Sequence, residues 1–393
     1  MAAGTEPSPP SIRHLRMFLI LGRTGSATRT AELCHVSQPA VTQAMAKLSR
    51  QTGHALFLRN PHGLFLTEAG EVLHHRAARA IARLDQVMSE MARQIRFQAT
   101  WPQLAALVAV SEAESFTLAA HRLGLAQPTV HRATTTLEQA AGTVFFQRTA
   151  HGLITTRAGL QLAQAARLAL AELEQARADL GNLEGREVGR IVIGALPLSR
   201  SGWLPRAILA FRRQRPALPL QIIDGRYDEL LLGLRRGDID LMLGALRLPS
   251  PIDDIHQERL FDDEAAVVAR RGHPLAARAG LTFEDLRGFP WVMPRRSTPL
   301  RAVLDAALAD NPPLDVVETS SVSLLREILR DSDYLGGLSR MQAEVEAETL
   351  SILPVALENA RRAIGVTTRA DWEPTRAQRD FLNQLRQTAA GMS

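Results

Sequence analysis

The sequence predicts an α+β multidomain chain in which two tandem winged helix-turn-helix modules, each running into a long linker helix, precede a two-lobed α/β domain. Three observations predict this. Residues 14–70 align with 103–159 without a gap, at a constant offset of 89, and eighteen of the 57 pairs are identical. A period that long marks a duplicated domain, because solenoid repeats run to roughly 20–50 residues. Within each copy, helix-spaced apolar residues give way to two short strand-like runs and then to a long alanine-rich helix. From about residue 187 strands and helices alternate, which predicts βα units and a mostly parallel sheet. A length of 393 residues fits two to four domains.

In the first copy, Leu15, Phe18, Leu19 and Leu21 place an apolar stripe on a helix over His14–Arg23. Ser26–Leu33 reads as a second short helix, and His35-Val36 turns the chain. Ser37 caps a third helix with Pro39 in its first turn, where a missing N–H costs little. Ala40, Val41, Ala44, Met45 and Leu48 form its inward face, leaving Gln38, Thr42, Gln43 and Lys47 outward, and Gly53 ends it. Phe57-Leu58-Arg59 and Leu64-Phe65-Leu66 pair around Asn60-Pro61-His62-Gly63 as a wing. A long helix is predicted from Thr67 to about Phe97. The second copy repeats the plan through Gln127-Pro128, Val130, Leu137, Gly142, Phe146, Arg148, His151-Gly152-Leu153 and Thr156/Ala158/Gly159, with a long helix over roughly 156–184. The modules are placed at 11–70 and 101–159, and the linker helices at 71–98 and 160–186.

In residues 187–393, strands over Arg190–Gly194, Leu218–Asp224 and Leu241–Gly244 alternate with helices over Trp203–Gln214 and Tyr227–Arg236. A second group has strands near Ala265–Ala269, Pro290–Met293, Asp315–Thr319 and Tyr334–Leu338, with helices near 298–310 and 322–331. Strands over Leu350–Leu353 and Ala363–Thr368 return before a terminal helix from about Pro374. One lobe takes 187–262 and 356–393, the other 263–355, with crossings near 262 and 355. Ligands of open α/β sheets sit beyond the carboxyl ends of strands, often against helix N-termini. That rule nominates Leu196, Pro197, Ser199, Ser201 and Gly244 on one side, and Arg295, Ser297, Thr298, Ser321, Ser323 and Gly337 on the other. Any one serine could equally be a plain helix cap, and either Arg295 or Arg296 a solvated side chain.

The run TAELCHVSQPAVTQAMAKLSRQTGHALFLRNPHGLFLTEAG resembles the DNA-binding module of LysR-type transcriptional regulators. SFTLAAHRLGLAQPTVHRATTTLEQAAGTVFFQRTAHGLITTRAG resembles it as well. GRIVIGALPLSRSGWLPRAILAFRRQRPALPLQIIDGRYDELLLGLRRGDIDLMLGALR resembles the effector domain of the same family, which has the fold of periplasmic solute-binding proteins. The resemblance implies a ligand-responsive transcription regulator that binds double-stranded DNA, takes a small effector between its lobes, and self-associates as a dimer or tetramer through its long helices. It looks nearest to regulators of sugar and aromatic-acid catabolism, and RNA polymerase is a further partner on the same analogy. Family members usually carry one winged module, so the second is a departure.

The charge distribution supports a polyanion contact. The formal net charge is +5, with +6 over residues 1–98, −1 over 99–185 and 0 over 186–393. Ser37, Gln38, Pro39, Thr42, Gln43 and Lys47, with Arg59 and His62 of the wing, are therefore the expected DNA contacts of the first module, in preference to an ordinary polar helix face. Gln127, Pro128, Thr129, His131, Arg132 and Arg148 hold the corresponding places in the second. Its near-neutral charge leaves a structural or weak role open beside specific reading.

Other classes find little support. The one cysteine, Cys34, excludes an intramolecular disulfide framework and a Cys-based zinc finger. His74-His75 reads as a solvated helix face, and Asp262-Asp263-Glu264 as exposed acids. No P-loop, dinucleotide fingerprint, nucleophile elbow or HExxH is present, so no catalytic residues, metal or cofactor are expected. The opening MAAGTEPSPP lacks the pattern of a secretory signal, and no apolar run approaches membrane-spanning length, so a cytoplasmic, membrane-free protein is expected. The rival function is a solute-binding sensor whose winged modules serve protein–protein interaction.

Overall fold

The structure, a computed structural model, describes residues 9–61, 63–150, 152–310, 312–313 and 315–392. They form two compact units that divide between Gly189 and Arg190.

The first unit opens with α1 (Ile12–Thr24), α2 (Ala27–Cys34), α3 (Gln38–Thr52), the hairpin β1 (Phe57–Asn60) and β2 (Gly63–Leu66), and α4 (Glu68–Met88). A one-turn helix α5 (Ile95–Gln98) leads into the second copy: α6 (Trp101–Ala113), α7 (Phe116–Leu123), α8 (Gln127–Ala141), the hairpin β3 (Phe146–Thr149) and β4 (Gly152–Thr155), and α9 (Arg157–Leu183). The hairpins share a register, Phe57 opposite Leu66 and Phe146 opposite Thr155.

Several repeated residues have a visible cause. Ser26 and Ser115 cap α2 and α7, accepting from the N–H groups of Arg29 and Leu118. Thr67 and Thr156 accept from the Gly70 and Gly159 N–H groups and donate to the carbonyls of Ala55 and Val144. A Cβ on Gly70 would lie 2.2 Å from the Leu56 carbonyl oxygen, and one on Gly159 2.7 Å from that of Phe145, so the start of each long helix requires glycine. The expected Ser37 cap is absent: its side chain makes no capping bond, and Ala126 stands in its place in the second copy. Both helices begin with proline in the first turn, which needs no N–H partner.

The linker helix expected to reach Phe97 stops at Met88. The Ala92 N–H leaves the helical ladder and donates to Ala141 at the end of α8, at 3.0 Å, while Ile95 is fully buried. A tertiary bond and a buried apolar anchor outweigh continued helix. His74, expected in solvent, is half-buried, with its Nε2 3.4 Å from the Leu19 carbonyl and its ring 5.9 Å from Phe18.

One apolar core runs through both copies, from Leu15 and Phe18 through Leu84 and Leu104 to Leu162 and Ala169. Its spine is the packing of α4 against α9. Pairing of the long helices between subunits was the expectation; here they pair within the chain. The buried stripe of α4 at Leu73, Ala77, Ala80 and Leu84 matches, position for position, Leu162, Ala166, Ala169 and Leu173 of α9. Each fully buried leucine contributes about 1.5–3 kcal/mol, and the small alanines let the helices approach closely.

The second unit contains β5 (Ile191–Ala195), α10 (Trp203–Gln214), β6 (Leu220–Asp224), α11 (Tyr227–Arg236), β7 (Leu241–Ala245), β8 (Ile255–Arg270), β9 (Trp291–Met293), α12 (Pro299–Ala307), β10 (Val316–Glu318), α13 (Val322–Arg330), β11 (Leu335–Ser339), α14 (Arg340–Val345), β12 (Leu350–Ile352), β13 (Arg361–Arg369) and α15 (Arg376–Ala390). The strand order is β10-β9-β11-β8-β13-β7-β5-β6, with β12 also on β8. Pairs β5–β6, β5–β7, β9–β10 and β9–β11 are parallel, whereas β8 and β13 run antiparallel to each other and to β11 and β7.

Here β8 corrects the expected strand near Ala265–Ala269, which is only the second half of a 16-residue strand. Its first half, IHQERLFDDE, is too polar to show a core stripe, yet it pairs with β13 from Arg369 to Arg361. The crossing expected near 262 is thus the middle of one continuous strand shared by both lobes. Asp263, expected to be exposed, is buried there, accepting from Arg362 at 2.6 Å and from the Met341 N–H at 3.1 Å. Helix α14, started by Ser339 capping the Gln342 N–H, was not expected.

Candidate nucleic-acid interface and effector cleft

The core decides which side of α3 faces outward. Val41, Ala44, Met45 and Leu48 are buried, so Ser37, Gln38, Pro39, Thr42, Gln43 and Lys47 are exposed together. Ala40, assigned to the inward face, is half-buried. Arg59 is exposed on β1, and His62 lies outside the described residues. The Gln38 amide donates to Thr42 Oγ1 at 3.4 Å, a weak bond that a stronger partner would displace. Beneath this face, burial first, and then Lys47 and Arg13, hold the His14 imidazole below its ordinary pKa.

On α8, Val130, Thr134 and Leu137 are buried, and Gln127, Pro128, Thr129, His131 and Arg132 are exposed, as is Arg148 on β3. The His131 ring packs 5.1 Å from that of Phe116, and its Nδ1 lies 3.5 Å from Thr135 Oγ1. Thr136 stands where the first copy has Lys47. Both faces offer amides and cations to a groove, but different ones.

In the second unit a cleft of about 740 Å³ is lined from both lobes. It brings together Leu196, Pro197, Ser201, Arg295, Ser297, Thr298, Ser321, Ser323 and Gly337 of the expected residues. Ser199 and Gly244 are not among its walls. The Ser199 hydroxyl is fully buried and donates to the carbonyls of Leu196 and Leu243, a bond that holds the turn after β5. Gly244 faces Leu196, where a Cβ would come within 2.6 Å. The helix-cap alternative also has substance: Thr298 and Ser321 accept from the Arg301 and Leu324 N–H groups.

The cleft is richer in arginine than expected. Arg200, Arg226, Arg247, Arg295 and Arg362 line it, against Asp224 and Glu229. Asp224 pairs with Arg200 at 3.2 Å, Asp263 behind the wall pairs with Arg362, and Glu229 accepts the Arg226 N–H at 2.9 Å. The Arg247 guanidinium lies 4.6 Å from the centre of the Tyr227 ring and donates to the Ser297 carbonyl at 2.9 Å, reaching from one lobe to the other. Gln257 accepts its N–H and donates to its carbonyl, at 3.0 and 2.7 Å. Burial pulls the guanidinium below its ordinary pKa, with Tyr227 and Asp228 opposing. Neither Arg247 nor Tyr227 carries a local signal in the sequence: Arg247 lies two residues past the end of β7, and Tyr227 is the first residue of α11 after β6. Arg362 belongs to β13, which starts at Arg361, two residues before the predicted strand.

Among the described residues, no group of three His, Cys, Asp or Glu side chains is placed to hold a metal, and no helix is long and apolar enough to cross a membrane.

Residues 12–71 and 101–160 each match the family described as "Bacterial regulatory helix-turn-helix protein, lysR family", and residues 184–390 match "LysR substrate binding domain". The chain is 36% identical over 371 residues to the HTH-type transcriptional regulator GalR of Pseudomonas putida, covering 92% of this chain and 93% of that one. Coverage that full leaves too little of this chain unmatched to omit either winged module. It is 30% identical over 291 residues to the HTH-type transcriptional regulator PcaQ of Agrobacterium fabrum, covering 73% of this chain and 94% of that one. Among solved structures, a full-length OxyR variant from Pseudomonas aeruginosa shares the fold at a TM-score of 0.55 and 21% identity, covering 74% of this chain and 95% of that one. CbnR, a LysR family transcriptional regulator, does so at 0.51 and 19%, covering 74% and 99%.

Proposed function

This chain belongs to the LysR family of DNA-binding transcription regulators with a substrate-binding domain, and from that premise we propose which residues read DNA and what the cleft takes. Ser37, Gln38, Pro39, Thr42, Gln43 and Lys47 of α3, with Arg59 and the wing residue His62, contact the duplex. The observation that carries this is the exposure of one polar, cationic face of α3 within the segment that holds the net charge of +6. A recognition helix fits the major groove, where amides pair with adenine and cations with guanine or phosphate. Gln127, Pro128, Thr129, His131, Arg132 and Arg148 make the corresponding contacts of the second module.

The effector is a small organic anion held between the lobes. Five arginines against two carboxylates support the charge, and the Leu196, Pro197, Pro294 and Leu325 walls support an apolar body, which favours an aromatic acid over a sugar. Self-association is also part of this proposal, through the second unit rather than the linker helices, which are already paired. Its support is twofold: β6 is an open edge strand of the sheet, and Leu209 of α10 is 65% exposed. A regulator of this kind works in the cytoplasm with RNA polymerase.

Retention of genomic DNA fragments by the full chain, measured across salt concentrations, tests the central claim. Each neutralised phosphate contributes a log–log slope of about −0.9. A steep slope is expected; a slope near zero would favour modules that bind protein instead.

A further inference from the structure

We propose that one chain is a complete two-site DNA reader, its two modules related by an internal twofold axis and aimed at two half-sites of different sequence. The inference rests on the DNA-binding function just proposed and deepens it.

The pairing of α4 and α9 is antiparallel. As the partner on α4 advances from Arg76 to Arg83, the partner on α9 retreats from Asp179 to Glu172: Arg76 bonds Asp179 at 2.9 Å, and Arg83 bonds Glu172 at 3.0 Å. Arg83 and Glu172 are equivalent positions, 89 residues apart. Only positions on a twofold axis meet their own equivalents, so this contact marks the axis. The ends of the long helices agree. His54, after α3, reaches Glu184, after α9, at 3.6 Å, while Ala92, after α4, bonds Ala141 at the end of α8. Each module thus touches the tail of the other's long helix.

The same operation relates α3 to α8. Duplex DNA has twofold axes of its own, and proteins with two recognition helices so related occupy two half-sites in register. Where most such readers need two chains, this one has both helices in one, and its pairing surface on α4 and α9 is occupied. The repeats have diverged where they face outward: Thr42, Gln43 and Lys47 correspond to His131, Arg132 and Thr136. A glutamine suits adenine and an arginine guanine, so the two halves of the site that one chain reads differ and are not inverted repeats of each other.

Two measurements test this. In the first, the purified full chain selects duplexes from a random-sequence pool, and the selection is repeated with Gln43→Ala and with Arg132→Ala. Each substitution is expected to relax base preference in one half-site only, and in opposite halves, by about tenfold at the affected position. If the two halves of a single bipartite site proved to be inverted repeats of each other, or Gln43→Ala relaxed both halves of one bipartite site, two first modules from two chains would be reading it, and the proposal would be overturned; self-association through the second unit only repeats the whole bipartite site. Failure to retain any duplex would remove the DNA-binding function itself, a distinct outcome that takes this proposal with it. In the second, Arg83→Cys and Glu172→Cys are combined with Cys34→Ser, which removes the natural thiol, and the two cysteines are joined with a short bismaleimide. A single-chain species on a denaturing gel is expected. A covalent dimer would show the helices pairing between chains and would overturn the proposal even if the variant of the first measurement failed to fold.

Discussion

Arg83 and Glu172, which occupy the same position in two copies of one module, are bonded to each other at 3.0 Å in the interior of the N-terminal unit. Glu172 also accepts from Arg76 and Arg79, and Arg76 bonds Gln175 and Asp179 besides. Burial pushes the Glu172 carboxyl up, but the bonds from Arg79 and Arg83 more than offset it and hold the group below its ordinary pKa. A lowered carboxylate pKa stabilises the fold above its unfolded value, and that stability is lost as the pH falls. Glu172→Ala removes the buried carboxylate that Arg76, Arg79 and Arg83 share, and is expected to cost about 3–5 kcal/mol in chemical denaturation at neutral pH. Glu172→Gln, which keeps an acceptor, should cost less.

Charge predicts the division of labour between the modules. At one fixed salt concentration, Gln43→Ala with Arg59→Ala should lower DNA affinity more than Arg132→Ala with Arg148→Ala, because phosphate contacts supply most nonspecific affinity and the first module holds the surplus. The second pair should shorten the protected footprint. Equal or reversed losses would make the second module the principal reader.

For the cleft, Arg247→Met is expected to weaken binding of a small carboxylate about tenfold or more, the weight of one charge-assisted hydrogen bond. Thermal shift with benzoate and with gluconate would check it and compare aromatic with sugar acids. Ser199→Ala should instead lower stability and leave the shift intact, because that hydroxyl holds the backbone and does not reach the cleft.

Asp240 carries a pH signature. Burial raises its pKa from 3.8 to about 6, against the Val192 N–H, Arg369 and Arg190. Between these values the folded state binds the extra proton, so this residue's contribution is full below about 3.8 and is lost as the pH rises through 6. The stability difference between wild type and Asp240→Asn should therefore move against wild type by on the order of 3 kcal/mol from pH 4 to pH 7, in paired denaturation curves.

The repeats also prescribe stabilising changes. Glu114 takes a φ of 47° at the end of α6, where the first copy has Gly25, and His35 a φ of 52° where the second has Gly124. Left-handed backbone strains a residue with a Cβ. Glu114→Gly and His35→Gly should each add about 0.5–1 kcal/mol, and a melting temperature that falls would count against the strain.

Much of the molecule was determined by local pattern. The boundaries of α10 and α11, the wing hairpins, and the outward face of α3 follow from spacing, turn residues and caps that lie within a few positions of each other. The duplication was equally open to view, because identity at offset 89 needs no structure. What only the tertiary structure decided depends on partners far along the chain. The first half of β8 is a strand because β13 pairs with it about a hundred residues later. The long helix ends at Met88 because Ala141 takes the Ala92 N–H. Ser199 turns away from the cleft, and Arg247 into it, through bonds to Leu243 and Ser297. Above all, a repeat reveals that two long helices exist but not whether they meet each other or a second chain. That choice was made by the shape of an alanine-lined interface and a buried ion network, in which Arg76, Arg79 and Arg83 of the first copy all pair with Glu172 of the second.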